Sequence, residues 1–126
     1  MIYDIKTVLE TIADDLPGFV ASAAVLVEDG LPIAGLSKRA DVDPEAISAH
    51  MTSIVQSNLK ALKLVGQDQV TDDILITTND YYFLIRHKPG KPYFLFIMTE
   101  RNEWLGRVRL RVKKYETEII RILEGK

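Results

Sequence analysis

Cysteine is absent from the 126-residue chain. That removes thiol nucleophiles, disulfides and thiolate metal sites in one step, and it fits a reducing compartment. Histidine occurs only at His50 and His87, in neither an H-x-x-x-H nor an H-E-x-x-H pattern. Zinc needs a full set of nitrogen, sulfur or carboxylate ligands, so both are expected to be surface or partly packed residues, and no metal is expected. No apolar run approaches the ~20 residues of a membrane-spanning helix. Met1 to Asp4 carry no basic stretch leading into an apolar one, so no signal peptide is visible. The motifs G-x-G-x-x-G, G-x-x-x-x-G-K-[ST] and G-x-S-x-G are missing too. Neither an active site nor a cofactor of the chain's own is expected. The net charge of −2 argues against a dedicated nucleic-acid binder, which is usually basic. What remains is a soluble, cytoplasmic chain whose length fits one domain, residues 1–126, with room for its own core.

The apolar pattern supplies the elements. Ile2, Ile5, Val8, Leu9, Ile12 and Leu16 recur at helical spacing over 2–16, and Pro17-Gly18 ends that helix. Phe19 to Glu28 is nearly continuous apolar sequence, which reads as a strand covered on both faces. Asp29-Gly30 is a hairpin turn, and Leu31 to Leu36 is the second strand. Pro32 places that strand at a sheet edge, since proline donates nothing to a ladder. Asp43 caps a long helix with Pro44 at its first position. The stripe Ile47, Met51, Ile54, Val55, Leu59, Leu62, Val65 follows, and Gly66 stops it. Ser48, Thr52, Gln56, Lys60 and Lys63 form a polar flank. Val70–Thr77, Tyr81–His87 and Pro92–Thr99 read as three strands of an antiparallel meander joined by short turns. Residues 104–124 alternate locally like a strand, but Leu105, Val108, Val112, Tyr115, Ile119, Ile122 and Leu123 keep helical spacing throughout, so a helix is expected with Leu110 off its stripe. The order is α-β-β-α-β-β-β-α. The economical architecture is α/β, a five-stranded antiparallel sheet between helices on both faces.

Few residues suggest chemistry. Asp41, Asp43 and Glu45 resemble the start of a calcium loop, but its glycine and distal glutamate are missing, and capping accounts for them. Asp14-Asp15 and Asp72-Asp73 read as solvated pairs, and Gly30, Gly35, Gly66 and Gly90 as turn and cap glycines. The run Arg107, Arg109, Arg111, Lys113, Lys114 is the sharpest charge feature. Its ordinary reading is a solvated helix face balanced by Glu103, Glu116 and Glu118. An acidic protein, an anionic lipid or nucleic acid would be its functional counterparts, and one of its arginines could serve phosphoryl transfer in trans. The central helix carries apolar surface beyond its stripe, at Ala46, Ala49, Val55, Leu59, Ala61 and Leu64. Apolar residues on a second side call for a second cover. With an edge strand offering unpaired backbone groups, they point to a two-fold homodimer.

Ala23 to Ala34, an apolar run followed by Glu28-Asp29-Gly30-Leu31-Pro32-Ile33-Ala34, resembles the first hairpin of Roadblock (dynein light chain) domains. Asp43-Pro44-Glu45 with Ile47-Ser48-Ala49 resembles the start of their central helix. Asn102 to Leu110, with Leu105-Gly106 and Val108-Arg109-Leu110, resembles the start of their last helix, with Glu103 and Trp104 inserted. The resemblance spans nearly the whole chain in order. It implies a profilin-like sandwich that dimerises through the second strands and central helices, here through Leu31, Ile33, Ala34, Leu36, Ala49 and Leu59. The bacterial and archaeal members are regulators of Ras-like small GTPases and include activating proteins. That implies a GTPase partner without an active site on this chain, bound around Lys38, Arg39, Ser48, Thr52, Gln56 and Lys60. The alternatives are a non-catalytic scaffold for a GTPase or motor complex, and a small-ligand sensory domain, which would require an apolar cavity between sheet and helix.

Overall fold

The computed structural model describes residues 4–125. Helix α1, Ile5–Asp15, is capped by Asp4, whose carboxylate accepts from the Thr7 amide; Ile2, assigned to this helix from its spacing, lies outside the described residues. Strand β1 (Phe19–Leu26) and strand β2 (Pro32–Ser37) form the expected hairpin, and helix α2 (Pro44–Val65) follows. Strands β3 (Ile74–Thr77), β4 (Tyr81–Arg86) and β5 (Tyr93–Glu100) make the meander before helix α3, Leu105–Leu123. The sheet order is β2-β1-β5-β4-β3, and every neighbouring pair is antiparallel. The element order and the edge position of β2 agree with the sequence reading.

β1, β3 and β4 are shorter than expected, while β2 and β5 keep their length and start one residue later. Val27 and Glu28 leave β1 because the Val27 amide turns to the Pro92 carbonyl at 2.9 Å and the Gln56 side chain takes the Val27 carbonyl at 2.7 Å. Val70 to Asp73 stay outside β3. Within them Thr71 accepts from Asn58 at 2.8 Å, and Asp73 binds Arg109. β4 stops before His87, whose Nε2 meets the Lys91 carbonyl at 2.7 Å across the turn.

β1 and β5 occupy the centre and are buried on both faces, which is why they read as unbroken apolar sequence. Their side chains alternate between two cores. Ala24, Leu95 and Ile97, with Leu84, meet α1 and α3, where Leu9, Ile12, Val108 and Val112 are fully enclosed. Ala23, Val25, Phe94 and Phe96, with Ile85, meet Met51 and Val55 of α2. The helices therefore cover both faces, α1 and α3 on one and α2 on the other. Small residues in β1 admit close helices, and the one hydroxyl among them, Ser22, donates to the Phe96 carbonyl at 2.7 Å, which removes the cost of burying it.

Two glycines are fixed by the fold. Gly30 holds the hairpin at φ 76°, and a side chain there would meet Thr52 Oγ1 at 3.2 Å. Gly35 is no turn residue. It lies within β2, where a Cβ would stand 3.2 Å from that of Pro44, so its role is the close approach of strand and helix.

Candidate functional site

Among the described residues β2 is an edge, laddered on one side by β1 alone. Leu31, just before the strand, and Ile33 within it are 56 % and 38 % exposed. Ala34 and Leu36 instead lie half-buried against the α1/α3 core. A second uncovered surface runs along α2, where Ala46, Ala49, Ser53, Ser57, Ala61 and Leu64 recur at helical spacing and all are exposed. Leu59 faces the other way and packs, half-buried, against the core under α2.

The polar flank expected to meet a partner is turned inward at three of its positions. Ser48 is fully buried and donates to the Pro44 carbonyl at 2.6 Å. Thr52 is buried too, donates to the Ser48 carbonyl at 2.7 Å and abuts Gly30. Gln56 Nε2 donates to the Val27 carbonyl at 2.7 Å. Thr52 and Gln56 seat the β1–β2 hairpin on α2, and burial denies Ser48 and Thr52 to any partner of this folded chain. The sequence signal misleads because small hydroxyl residues satisfied by the helix carbonyl four residues back pack like alanine against a close neighbour. Of the remaining candidates, Lys60 is exposed on α2. Lys38 is exposed and donates to the Ala13 carbonyl at 3.2 Å. Arg39 is held at home by Asp41, at 2.6 and 3.0 Å, and by the Tyr81 hydroxyl. The hydrogen bond from Arg39 keeps the Asp41 carboxyl below its ordinary range.

The basic run divides once folded. Arg109 makes a two-pronged bond to Asp73 at 2.9 and 3.1 Å, Arg111 lies 4.0 Å from Asp15, and Lys114 stands over the Tyr115 ring. Arg107 and Lys113 are exposed. Two glutamates expected to balance this face are engaged elsewhere. Glu103 accepts from the Gly18 amide at 2.6 Å, and Glu116 is buried in an ion pair with Arg86 at 3.1 Å. Sequence reasoning missed that pair. Its only sign was that Glu116 falls four residues after Val112, on the buried stripe. Tyr115 is buried on the expected stripe, but the bond its hydroxyl donates to Asp15 was missed. Burial first, and then that bond, push the phenol up to about 12.

His50 is exposed on α2. His87 lines a cleft of about 520 Å³ between the C-terminal half of α2 and strands β3 and β4. Among the described residues, no three histidine, aspartate or glutamate side chains gather as a metal would require, and no helix is long and apolar enough to cross a membrane.

No family model matches the sequence, and no curated protein does. Solved structures do match. MglB of Myxococcus xanthus is 20 % identical with a TM-score of 0.85, over 97 % of this chain and 96 % of that one. A Roadblock/LC7 domain from Streptomyces avermitilis is 11 % identical with a TM-score of 0.84, over 97 % and 99 %. The gliding protein MglB of Thermus thermophilus is 15 % identical with a TM-score of 0.80, over 100 % and 96 %. Over nearly its whole length, the chain has the Roadblock/LC7 fold.

Proposed function

We propose that this chain is a cytoplasmic Roadblock-type interaction module which, as a homodimer, binds and regulates a Ras-like small GTPase. The observation that carries this reading is the coincidence of two uncovered surfaces, the β2 edge with Leu31 and Ile33 and the outer face of α2 with Ala49, on a fold shared over nearly the full chain with MglB. Two copies placed about a two-fold axis would join their β2 edges and cover both surfaces together. Ala34, Leu36 and Leu59 would then support that interface from beneath. Lys60, Lys38 and the rim around Arg39 are the polar groups left to meet a partner. Regulation needs no catalytic group on this chain. A dimer that binds the GTP-bound form more tightly than the GDP-bound form selects it by differential affinity, and one that binds the transition state more tightly still accelerates hydrolysis.

Size-exclusion light scattering, alone and with a Ras-like GTPase from the same source, tests the assembly. The expected result is a dimer that co-elutes with the GTP-analogue form and accelerates GTP turnover. Ile33→Lys, which places a charge on the shared edge, should yield a folded monomer. Wild-type protein that is monomeric at micromolar concentration would overturn the assembly. Binding without acceleration would assign the scaffold role instead, and charge reversal at Lys60 with binding unchanged would remove that part of the surface.

A further inference from the structure

α2 packs over β1 and β2, so the same face of β4 and β3 beyond it opens into the cleft of about 520 Å³. This lies within the ~300–1,000 Å³ typical of small-molecule sites. The wall is apolar, made by Val55, Leu59 and Leu62 of α2 with Ile74 and Ile85 of the sheet. Polar groups share the lining, and the bonding of the charged ones leaves a definite charge. Asp73, the acid there, is taken up by both prongs of Arg109. Lys63 also lines the cleft, and no ion-pair partner is found for it among the described residues. The C-terminus of α2 contributes about half a negative charge, less than the full positive charge of Lys63. Thr71 accepts from Asn58, so its own proton stays free to donate. His87 Nε2 is spent on the Lys91 carbonyl.

From this geometry we infer a binding site for a small amphiphile with a hydrocarbon body and a carboxylate head. The body lies against the α2 wall, where burial supplies the affinity. The head meets Lys63 at the rim in a charge-assisted contact. The cleft lies toward β3, at the opposite edge of the sheet from β2, so its sheet wall is separate from a β2-paired copy; it shares Leu59 of α2 with the proposed interface, and it does not depend on the GTPase reading.

Calorimetric and amide NMR titration of the full chain with octanoate, 1-octanol and octylammonium, each below its aggregation concentration, tests this. Octanoate is expected to bind saturably, one molecule per chain, about tenfold more tightly than 1-octanol, with amide shifts concentrated in residues 55–74 and 85–90. Lys63→Met should bring octanoate down to the level of 1-octanol and leave 1-octanol unchanged. Leu62→Trp should abolish both by filling the cleft, and Val70→Trp supplies the same readout if the first variant does not fold. Absence of saturable octanoate binding, equal affinity for the three head groups, or shifts located away from the cleft would each overturn the proposal.

Discussion

Replacing Gly30 by alanine tests how the hairpin is seated on α2. At φ 76° an L-residue costs roughly 1–2 kcal/mol. Reduced freedom of the unfolded chain returns about 0.4–1 kcal/mol, leaving a conformational cost of about 0.5–1 kcal/mol. The new methyl would also stand 3.2 Å from Thr52 Oγ1, closer than the ~3.5–4.0 Å optimum, and 3.6 Å from the Ala49 Cα, an ordinary contact. Thr52 is buried and tied to the Ser48 carbonyl, so relief requires the hairpin to lift, at about 1 kcal/mol for mild overpacking. Gly30→Ala should therefore cost about 1.5–2 kcal/mol, read from urea unfolding followed by circular dichroism at fixed protein concentration, because self-association would make stability concentration-dependent. In a Thr52→Ala background the steric part disappears and the cost should fall to about 0.5–1 kcal/mol, a coupling of roughly 1 kcal/mol. Equal cost in both backgrounds would refute the contact between hairpin and helix, and a neutral Gly30→Ala would refute the turn geometry itself.

Three other outcomes follow from the packing. The Tyr115 phenol, raised from an ordinary value near 10 to about 12, favours the folded state below pH 10; between pH 10 and 12 the unfolded chain loses that proton first, so stability falls as pH rises. The loss should reach roughly 2–3 kcal/mol, and Tyr115→Phe should flatten that part of the wild-type pH–stability curve; an unchanged slope would exclude the buried phenol as its source. Glu116→Leu strands Arg86 beneath α3 and should cost about 3 kcal/mol, more than Arg86→Met combined with Glu116→Leu, as chemical denaturation of both variants would show. Glu103→Ala removes the acceptor for the Gly18 amide and should destabilise the chain by about 1 kcal/mol, whereas Trp104→Ala, at a side chain 77 % exposed, should leave the midpoint within about 0.5 kcal/mol of wild type.

Local chemistry made most of the fold legible. Asp43-Pro44 starts α2 and Asp29-Gly30 makes the hairpin because those residues have preferred backbone states of their own. The uninterrupted apolar run of β1 announced a strand covered twice, and Pro32 announced an edge. In α3 the helical spacing of Val108, Val112, Tyr115 and Ile119 correctly outweighed the period-two alternation of the basic residues, because a buried face must be continuous over the whole element. Leu110, left off that stripe, is 69 % exposed.

The candidate site was legible only in part. That Leu31 and Ile33 lie on a free edge could be read from Pro32 and the hairpin. Which side of α2 turns inward could not, because Ser48 and Thr52 are compatible with either face until packing buries them, with Gly30 of the hairpin against Thr52. The cleft was equally hidden. Leu59, Leu62, Ile74 and Ile85 look like ordinary core positions in one dimension, and whether they fill space or line it depends on α2 lying over β1 and β2 and leaving β3 and β4 open. The charges were settled last. Sequence counts them and places them on faces, but Arg109 finding Asp73, and Arg86 finding Glu116, depend on separations between elements far apart in the chain. Backbone preferences and apolar periodicity act over a few residues, so the sequence by itself determined the elements and their order; burial, pairing and open space are properties of distance between elements, and only the tertiary structure decides them.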